Sequence, residues 1–74
     1  MKPPGLTISN RIRELRSRND ATQQALADRI GVSRQTVNAI EGGKYSPSLE
    51  VAFRIARVFE VPLEEVFVCE MSEE

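Results

Sequence analysis

Apolar side chains recur along this chain at the three- and four-residue spacing that places them on one face of an α-helix. Ile12 and Leu15 are the apolar positions within residues 10–18, a segment otherwise rich in arginine. We expect a short helix there with one buried stripe. Ser9 or Asn10 is its expected N-cap, because short polar side chains accept hydrogen bonds from the free N–H groups of a first turn.

The same spacing predicts two further short helices, in residues 23–30 and 34–41. Thr22 and Ser33 directly precede these segments and are suited to cap them. Gly31 lies between them, and a glycine just past a helix end commonly adopts the left-handed backbone that stops the helix. Two short helices joined by such a turn form a helix-turn-helix unit.

A fourth helix is predicted to begin at Pro47 or Ser48 and to end near Glu60. Proline suits the first turn of a helix, and Ser46 is then the expected N-cap. The polar residues in the middle of this helix lie on one narrow stripe: Glu50, Arg54 and Arg57. Since the rest of its circumference is apolar, we expect this helix to be buried on most sides, in part against another subunit.

The C-terminal segment predicts a short helix and a candidate strand. Pro62 opens a helix over about residues 62–66, and residues 67–69 have the aromatic and β-branched composition of a strand. Residues 6–8 are the candidate partner strand. The acidic tail, residues 71–74, is expected to fray.

The amino-acid composition argues against several classes of protein. The 74 residues correspond to one domain, with no histidine and a single cysteine, Cys69. The chain therefore lacks the residues for an internal disulfide, for a structural zinc site and for the commonest general base of enzymes. We expect no metal, no cofactor and no enzymatic activity. Cys69 has apolar neighbours and is expected to be a small buried residue rather than a redox sensor.

The cellular location is expected to be the cytoplasm. The chain has no apolar run of the ~20 residues that cross a membrane. Residues 1–5 lack the apolar stretch of a signal peptide. A lone reduced cysteine also suits this compartment.

Charge is unevenly distributed, although the net charge is only −1. Residues 1–46 carry eight basic and four acidic residues, a net +4, whereas residues 47–74 carry two and seven, a net −5. Such polarity would orient the basic part toward a phosphate backbone. Charge alone leaves open the alternative of a solvated surface with no partner.

The outer face of the helix in residues 34–41 has the chemistry of major-groove recognition. Its polar residues are Arg34, Gln35, Thr36 and Asn38. Arginine can donate two hydrogen bonds to guanine, glutamine can exchange two with adenine, and a threonine methyl can contact thymine. These side chains lie toward the N-terminal end of the helix, which faces base edges in this motif. We therefore predict that they read DNA bases.

An ordinary helical hairpin with a solvated polar face is the alternative interpretation. Two small residues favour DNA binding, because Ala27 permits a close helix crossing and Gly31 permits a sharp turn. Apolar residues at matching offsets are expected to face inward and fix the angle between the helices: Ile30, Val32, Val37 and Ile40.

Residues 9–67 resemble the Cro and phage-repressor type of helix-turn-helix protein, also called the xenobiotic-response-element family. The motif that carries the resemblance runs from Gln23 to Glu41 and reads QQALADRIGVSRQTVNAIE. The segments before and after it match as well. The resemblance implies an all-α, five-helix, lambda-repressor-like domain in residues 9–67. An N-terminal arm in residues 1–8 and a C-terminal strand or tail in residues 68–74 would flank it.

The resemblance also implies roles for individual residues. Contacts with DNA phosphates would be made by Gln23, Ser33, Lys44 and Tyr45. Thr36 would also reach phosphate or sugar, and Asn38 could reach either bases or backbone. Arg16 and Glu41 match a pair that ties the first helix to the end of the third, which is a structural role.

Proteins with this motif commonly bind double-stranded DNA as dimers on half-sites ~34 Å apart. The expected homodimer interface is the surplus apolar surface of the C-terminal half: Val58, Leu63, Val66, Phe67 and Val68. The alternative is that these residues only complete the core of one protomer. The expected function is a dimeric transcriptional repressor at an inverted-repeat operator. A protein-interaction module of the same fold, such as an antitoxin that binds DNA secondarily, is the competing hypothesis.

Overall fold

The computed structural model describes residues 5–71, and this part of the chain contains five helices and two strands. The elements in chain order are β1 (Leu6–Asn10), α1 (Ile12–Arg18), α2 (Gln23–Ile30), α3 (Arg34–Glu41), α4 (Leu49–Phe59), α5 (Leu63–Val66) and β2 (Phe67–Met71). The predicted five-helix fold and C-terminal strand are confirmed. The first part of the predicted N-terminal arm, residues 1–4, and the end of the predicted tail, residues 72–74, lie outside the described residues.

The two strands pair with each other from opposite ends of the chain. They run antiparallel, with Leu6 opposite Met71 and Asn10 opposite Phe67. The pairing predicted for residues 6–8 is confirmed, but both strands are longer than expected. Met71 therefore belongs to β2 rather than to a frayed tail. Strand β1 extends past the expected arm boundary at residue 8.

Helix α1 begins at Ile12, two residues later than the start predicted from its apolar pattern. Ser9 and Asn10 belong to β1, so neither is the first residue outside the helix. Asn10 nevertheless serves the helix start, because its Oδ1 accepts a hydrogen bond from the Ile12 N–H at 3.1 Å. Its Nδ2 donates to the carbonyl oxygen of Ile40 at 3.0 Å, which ties this corner to the end of α3.

The predicted caps of α2 and α3 are confirmed. The Thr22 hydroxyl accepts from the Ala25 N–H at 3.0 Å, and the Ser33 hydroxyl accepts from the Thr36 N–H at 3.1 Å. Gly31 ends α2 with a φ of 79°, the left-handed conformation expected for it. These local signals fix where each helix of the pair begins and where the turn between them lies.

The prediction that Ser46 caps α4 is wrong. The helix begins at Leu49, and Ser48 is the cap, with its hydroxyl accepting from the Val51 N–H at 3.1 Å. Pro47 remains in the preceding loop, so Ser46 lies too far upstream to reach the first turn. Arg54, on the polar stripe of α4, donates to the Ile30 carbonyl at 3.2 Å and so holds α4 against the end of α2.

The core lies between the five helices. Its buried side chains are Ile12, Leu15, Leu26, Ala27, Ile30, Val37, Ile40, Ile55, Ala56, Phe59 and Val66. The positions predicted to face inward between α2 and α3 are therefore buried as expected, and Val32 packs against them half-buried. None of the described helices is long and apolar enough to cross a membrane.

The expectation that Cys69 is buried is wrong, because its side chain is exposed on β2. Its partner across the strand pair is Ile8, which is 57 % exposed. Directly opposite residues of an antiparallel pair share one face of the sheet. Cys69 and Ile8 therefore lie on the same face of the strand pair, and both side chains are exposed there.

Candidate nucleic-acid interface

Helices α2 and α3 form a rigid pair that presents the outer face of α3. Ala27 is 0 % exposed and Val37 only 1 %, so the inner faces of the two helices are fully packed. The opposite face of α3 leaves three of the four predicted base-reading side chains exposed: Arg34, Gln35 and Asn38. The fourth, Thr36, is half-buried. The fold thus brings the predicted base-reading residues together on one helix.

The first turn of α3 contains two hydroxyl groups that bond to each other. The Ser33 Oγ and Thr36 Oγ1 atoms are 3.0 Å apart, and the same Ser33 oxygen accepts from the Thr36 backbone. The Ser33 hydroxyl therefore caps the helix, and the Thr36 hydroxyl is bonded to it. Any contact of either with DNA has to use the hydrogen-bonding capacity that this pair leaves free.

Lys44 and Tyr45 lie in the loop that follows α3. The Lys44 N–H donates to the Ala39 carbonyl at 2.9 Å, and Gly43 has a φ of 74°, so the chain turns sharply at the helix end. Both side chains are exposed. They stand at the C-terminal end of the exposed helix, where the resemblance places phosphate contacts.

The expected pair of Arg16 and Glu41 is confirmed and anchors α3 to α1. Arg16 binds the carboxylate through two nitrogens, with Nε at 2.5 Å from Oε2 and Nη2 at 3.1 Å from Oε1. A third nitrogen, Nη1, donates to the Ala21 carbonyl at 3.0 Å. The Glu41 side chain is only 1 % exposed. A bidentate arrangement of this kind fixes both position and orientation.

The pKa of Glu41 lies below the ordinary value for a glutamate. Burial raises the pKa, but hydrogen bonds from Arg16 and Gln23, together with the charges of Arg16 and Arg13, lower it by more. The same pair raises the pKa of Arg16, because its hydrogen bond to Glu41 outweighs the effect of burial. Glu41 is therefore an ionised carboxylate within the protein under neutral conditions.

Gln23 links this buried ion pair to the exposed face of α3. Its Nε2 donates to Glu41 Oε1 and to Asn38 Oδ1, each at 3.1 Å. The predicted phosphate contact of Gln23 stays a prediction, and in the free protein both amide hydrogens are used within the chain. No local pattern in the sequence indicates this link, because the two partners of Gln23 lie 15 and 18 positions away.

One residue of the predicted dimer interface, Val66, lies in the core of the protomer. Val66 is 0 % exposed within the protomer, because it completes the core under α5, and has no surface to offer a partner. Val58, Leu63, Phe67 and Val68 are half-buried. The large exposed apolar side chains are instead Leu6, Ile8, Tyr45, Leu49, Phe53 and Met71.

Four of these exposed apolar residues lie in two different surface grooves, Ile8, Tyr45 and Leu49 in one and Phe53 in the other. One groove, of about 250 Å³, lies between the strand pair and the start of α4 and is lined by Ile8, Tyr45, Leu49 and Phe67, among others. We call it the strand groove. The other is lined by Arg29, Glu50, Phe53, Arg54, Arg57 and Val58. We call it the arginine groove, since three of its six residues are arginines.

The described residues 5–71 contain no group of three or more His, Cys, Asp or Glu side chains placed to hold a metal ion. The exposed chemistry is instead that of a recognition helix: a fully packed inner face, a polar outer face and a capped N-terminal end. These features define a helix-turn-helix DNA-binding domain.

Comparison with known proteins identifies the family. The helix-turn-helix family model matches residues 12–66. A helix-turn-helix-type transcriptional regulator of Methanocaldococcus jannaschii, described as uncharacterised, is 47 % identical over 89 % of this chain and all of its own length. The CTXphi repressor RstR of Vibrio cholerae is 40 % identical over 80 % of this chain and 53 % of its own.

Solved structures agree with this assignment. The restriction-modification controller protein C.AhdI of Aeromonas hydrophila superposes with a TM-score of 0.70 at 31 % identity, over 74 % of this chain and 83 % of its own. The chain belongs to the Cro/C1-type helix-turn-helix family. It is a transcriptional regulator with a domain that binds double-stranded DNA, rather than an enzyme.

Proposed function

We propose that this protein is a dimeric repressor that binds an inverted-repeat operator through the major groove. The observation that carries the proposal is the exposed polar face of α3, which is held rigidly by the packed α2–α3 pair. The similarity to RstR, a transcriptional repressor, supports the direction of regulation. In this arrangement, bound protein blocks transcription by occupying the promoter.

The residues on this face divide into two groups by what they contact. Arg34 and Gln35 read base edges, because both are exposed at the N-terminal end of α3 and have bidentate hydrogen-bonding groups. Asn38 reads a DNA base one helical turn further along α3. Thr36 contacts the DNA at the floor of the major groove. Lys44 and Tyr45 contact phosphates, as does Ser33, and so set the register of the helix on the duplex.

The proposed dimer forms through the strand groove. Ile8 and Leu49 are 57 % and 70 % exposed, and Phe67 lines the same groove. Covering these side chains removes apolar surface from water, which a small core needs for stability. The arginine groove suits a symmetric contact less well, because two copies would bring like charges together.

Selection of bound sequences from a random pool of DNA duplexes tests the proposal directly. At physiological salt we expect an inverted repeat whose half-sites are separated by about one helical turn. Sedimentation of the free protein is expected to show a dimer. A folded protein that enriches no sequence would contradict the proposed function and favour a protein-interaction module. A reporter under the selected operator should fall on expression, and a rise would contradict repression.

A further inference from the structure

Glu41 fixes the orientation of the Gln23 side chain. The carboxylate is almost fully buried and is held in its ionised form by Arg16. An ionised carboxylate can only accept hydrogen bonds. The amide nitrogen of Gln23, rather than its oxygen, must therefore be the atom that lies 3.1 Å from Glu41 Oε1.

Gln23 in turn fixes the orientation of Asn38. Its Nε2 also lies 3.1 Å from the Asn38 side chain, and an atom that donates there must meet the amide oxygen, Oδ1. Both hydrogens of Nε2 are then used. In a planar amide the Nδ2 amino group points away from the oxygen that accepts from Gln23, and Asn38 is an exposed residue of α3.

We infer that Gln23 is a positioning residue that turns the amide of Asn38 so that its Nδ2 donor faces the major groove. The inference rests on the proposed function, in which the outer face of α3 enters that groove. It gives Gln23 a role different from the phosphate contact implied by the family resemblance. In this geometry the Gln23 amide has no hydrogen left for a phosphate oxygen.

The orientation determines which bases Asn38 can prefer. A donor matches guanine O6, thymine O4 or the N7 of either purine. It does not match the exocyclic amino group of cytosine or of adenine, which are themselves donors. An unrestrained asparagine can present either its amide nitrogen or its amide oxygen. The network therefore also removes the orientation in which Oδ1 would accept a hydrogen bond from these amino groups.

The experiment measures binding to the selected operator and to every single-base-pair variant of it. Asn38→Ala is expected to remove the preference at one base pair, which identifies the position that Asn38 reads. We expect the wild-type protein to discriminate about five- to tenfold there, in favour of an acceptor. An Asn38→Ala variant that keeps all base preferences would overturn the inference.

Gln23→Met tests the positioning role, because methionine keeps the length of the side chain and removes the amide. We expect discrimination at the Asn38 position to fall to about twofold or less, while preferences elsewhere are retained. Gln24→Met is the matched control. Gln24 is the neighbouring glutamine of α2, and its Nε2 donates to Asp28 Oδ1 at 2.8 Å, outside the network. This control should leave every preference unchanged.

Asn38→Asp tests the direction of the donor in an isosteric side chain. The aspartate can still accept from Gln23, but it places an oxygen where the Nδ2 donor lay. Its preference at the same base pair should shift toward a cytosine or adenine amino group. A variant that keeps the wild-type preference would show that Asn38 does not act as a donor.

The outcomes separate this inference from the proposed function. If the wild-type protein enriches no sequence, the proposed function fails and the inference fails with it. If it enriches an operator and Gln23→Met weakens all sequences equally, only the inference is overturned, because a phosphate contact has that effect. Thermal unfolding of each variant shows whether it is folded before its binding is compared.

Discussion

Arg34 and Lys44 are both exposed cations, yet they are proposed to act on DNA in different ways. Arg34 lies at the first position of α3, where a guanidinium can donate two parallel bonds to guanine. Arg34→Ala should cost about 1–3 kcal/mol of operator binding and relax the preference at one base pair. Titration of the operator and its variants measures both. Unchanged preference would show that Arg34 does not read a base.

Lys44 has a proposed phosphate contact, which carries no sequence information. Lys44→Ala should therefore weaken operator and unrelated DNA by the same factor. It should also reduce the slope of log affinity against log salt by about one unit, because one fewer counterion is released. Affinities measured over a range of salt concentrations test this. A loss confined to the operator would contradict the assignment.

Glu41 gives the folded protein a defined dependence on pH. Its pKa is lowered in the folded state, so the ionised carboxylate stabilises the folded protein fully at pH values above the ordinary pKa of glutamate. The contribution is lost as pH falls through the lowered, folded-state pKa. Glu41→Gln should cost about 1.5–3 kcal/mol of stability at neutral pH, because charged hydrogen bonds to Arg16 are weakened.

Urea unfolding at a series of pH values measures this effect. The difference in the free energy of unfolding between the wild-type protein and Glu41→Gln should become smaller as the solution becomes more acidic. Glu14→Gln is the control, since Glu14 forms an exposed pair with Arg18 and such pairs contribute little. A gap that stays constant with pH would contradict the role assigned to the Glu41 carboxylate.

At the scale of single elements, the turn between α2 and α3 depends on one glycine. Gly31 has a φ of +79°, and a Cβ added there would lie 3.3 Å from Arg54 Nη1. Gly31→Ala should destabilise the fold by about 1–2 kcal/mol, because an L side chain is strained in this region. Gly42→Ala is the control, since Gly42 has a φ of −80°. Equal losses of stability in Gly31→Ala and Gly42→Ala, measured by thermal unfolding, would contradict this account.

The helices that carry the site could be predicted from sequence because their signals are local. Thr22, Ser33 and Gly31 mark the limits of α2 and α3, and each acts within a few residues of itself. The start of α1 could not be predicted in this way, because the strand pairing that extends to Asn10 involves residues more than 50 positions away, such as Phe67. The Gln23–Asn38 bond could not be predicted either, because it depends on the distance between two helices, which the periodicity of apolar residues does not determine.

At the scale of the whole molecule, the position of the exposed apolar surface could not be predicted from the sequence. Apolar composition alone cannot separate Val66, which is fully buried, from Leu49, which is 70 % exposed. The two differ in whether another helix covers them. The sequence therefore predicts that apolar surface is in excess, while the fold determines where it lies.

The proposed dimer depends on the strand groove, and Leu49 is its most exposed apolar residue. Leu49→Gln should raise the dimer dissociation constant by at least about tenfold, since a central apolar anchor is lost. It should leave the protomer folded. Phe53→Gln is the matched control, because Phe53 is 51 % exposed in the arginine groove. Sedimentation of both variants tests this, and equal effects would contradict the choice of groove.

The pairing of β1 with β2 also has a consequence for synthesis in the cell. Strand β1 leaves the ribosome before its partner, residues 67–71, which emerges only after helices α1 to α5. The helices can pack through contacts of shorter range while β1 still has no partner. Closure of the sheet is thus a late, long-range step, and until then the backbone edge of β1 is open to pairing with a neighbouring nascent chain.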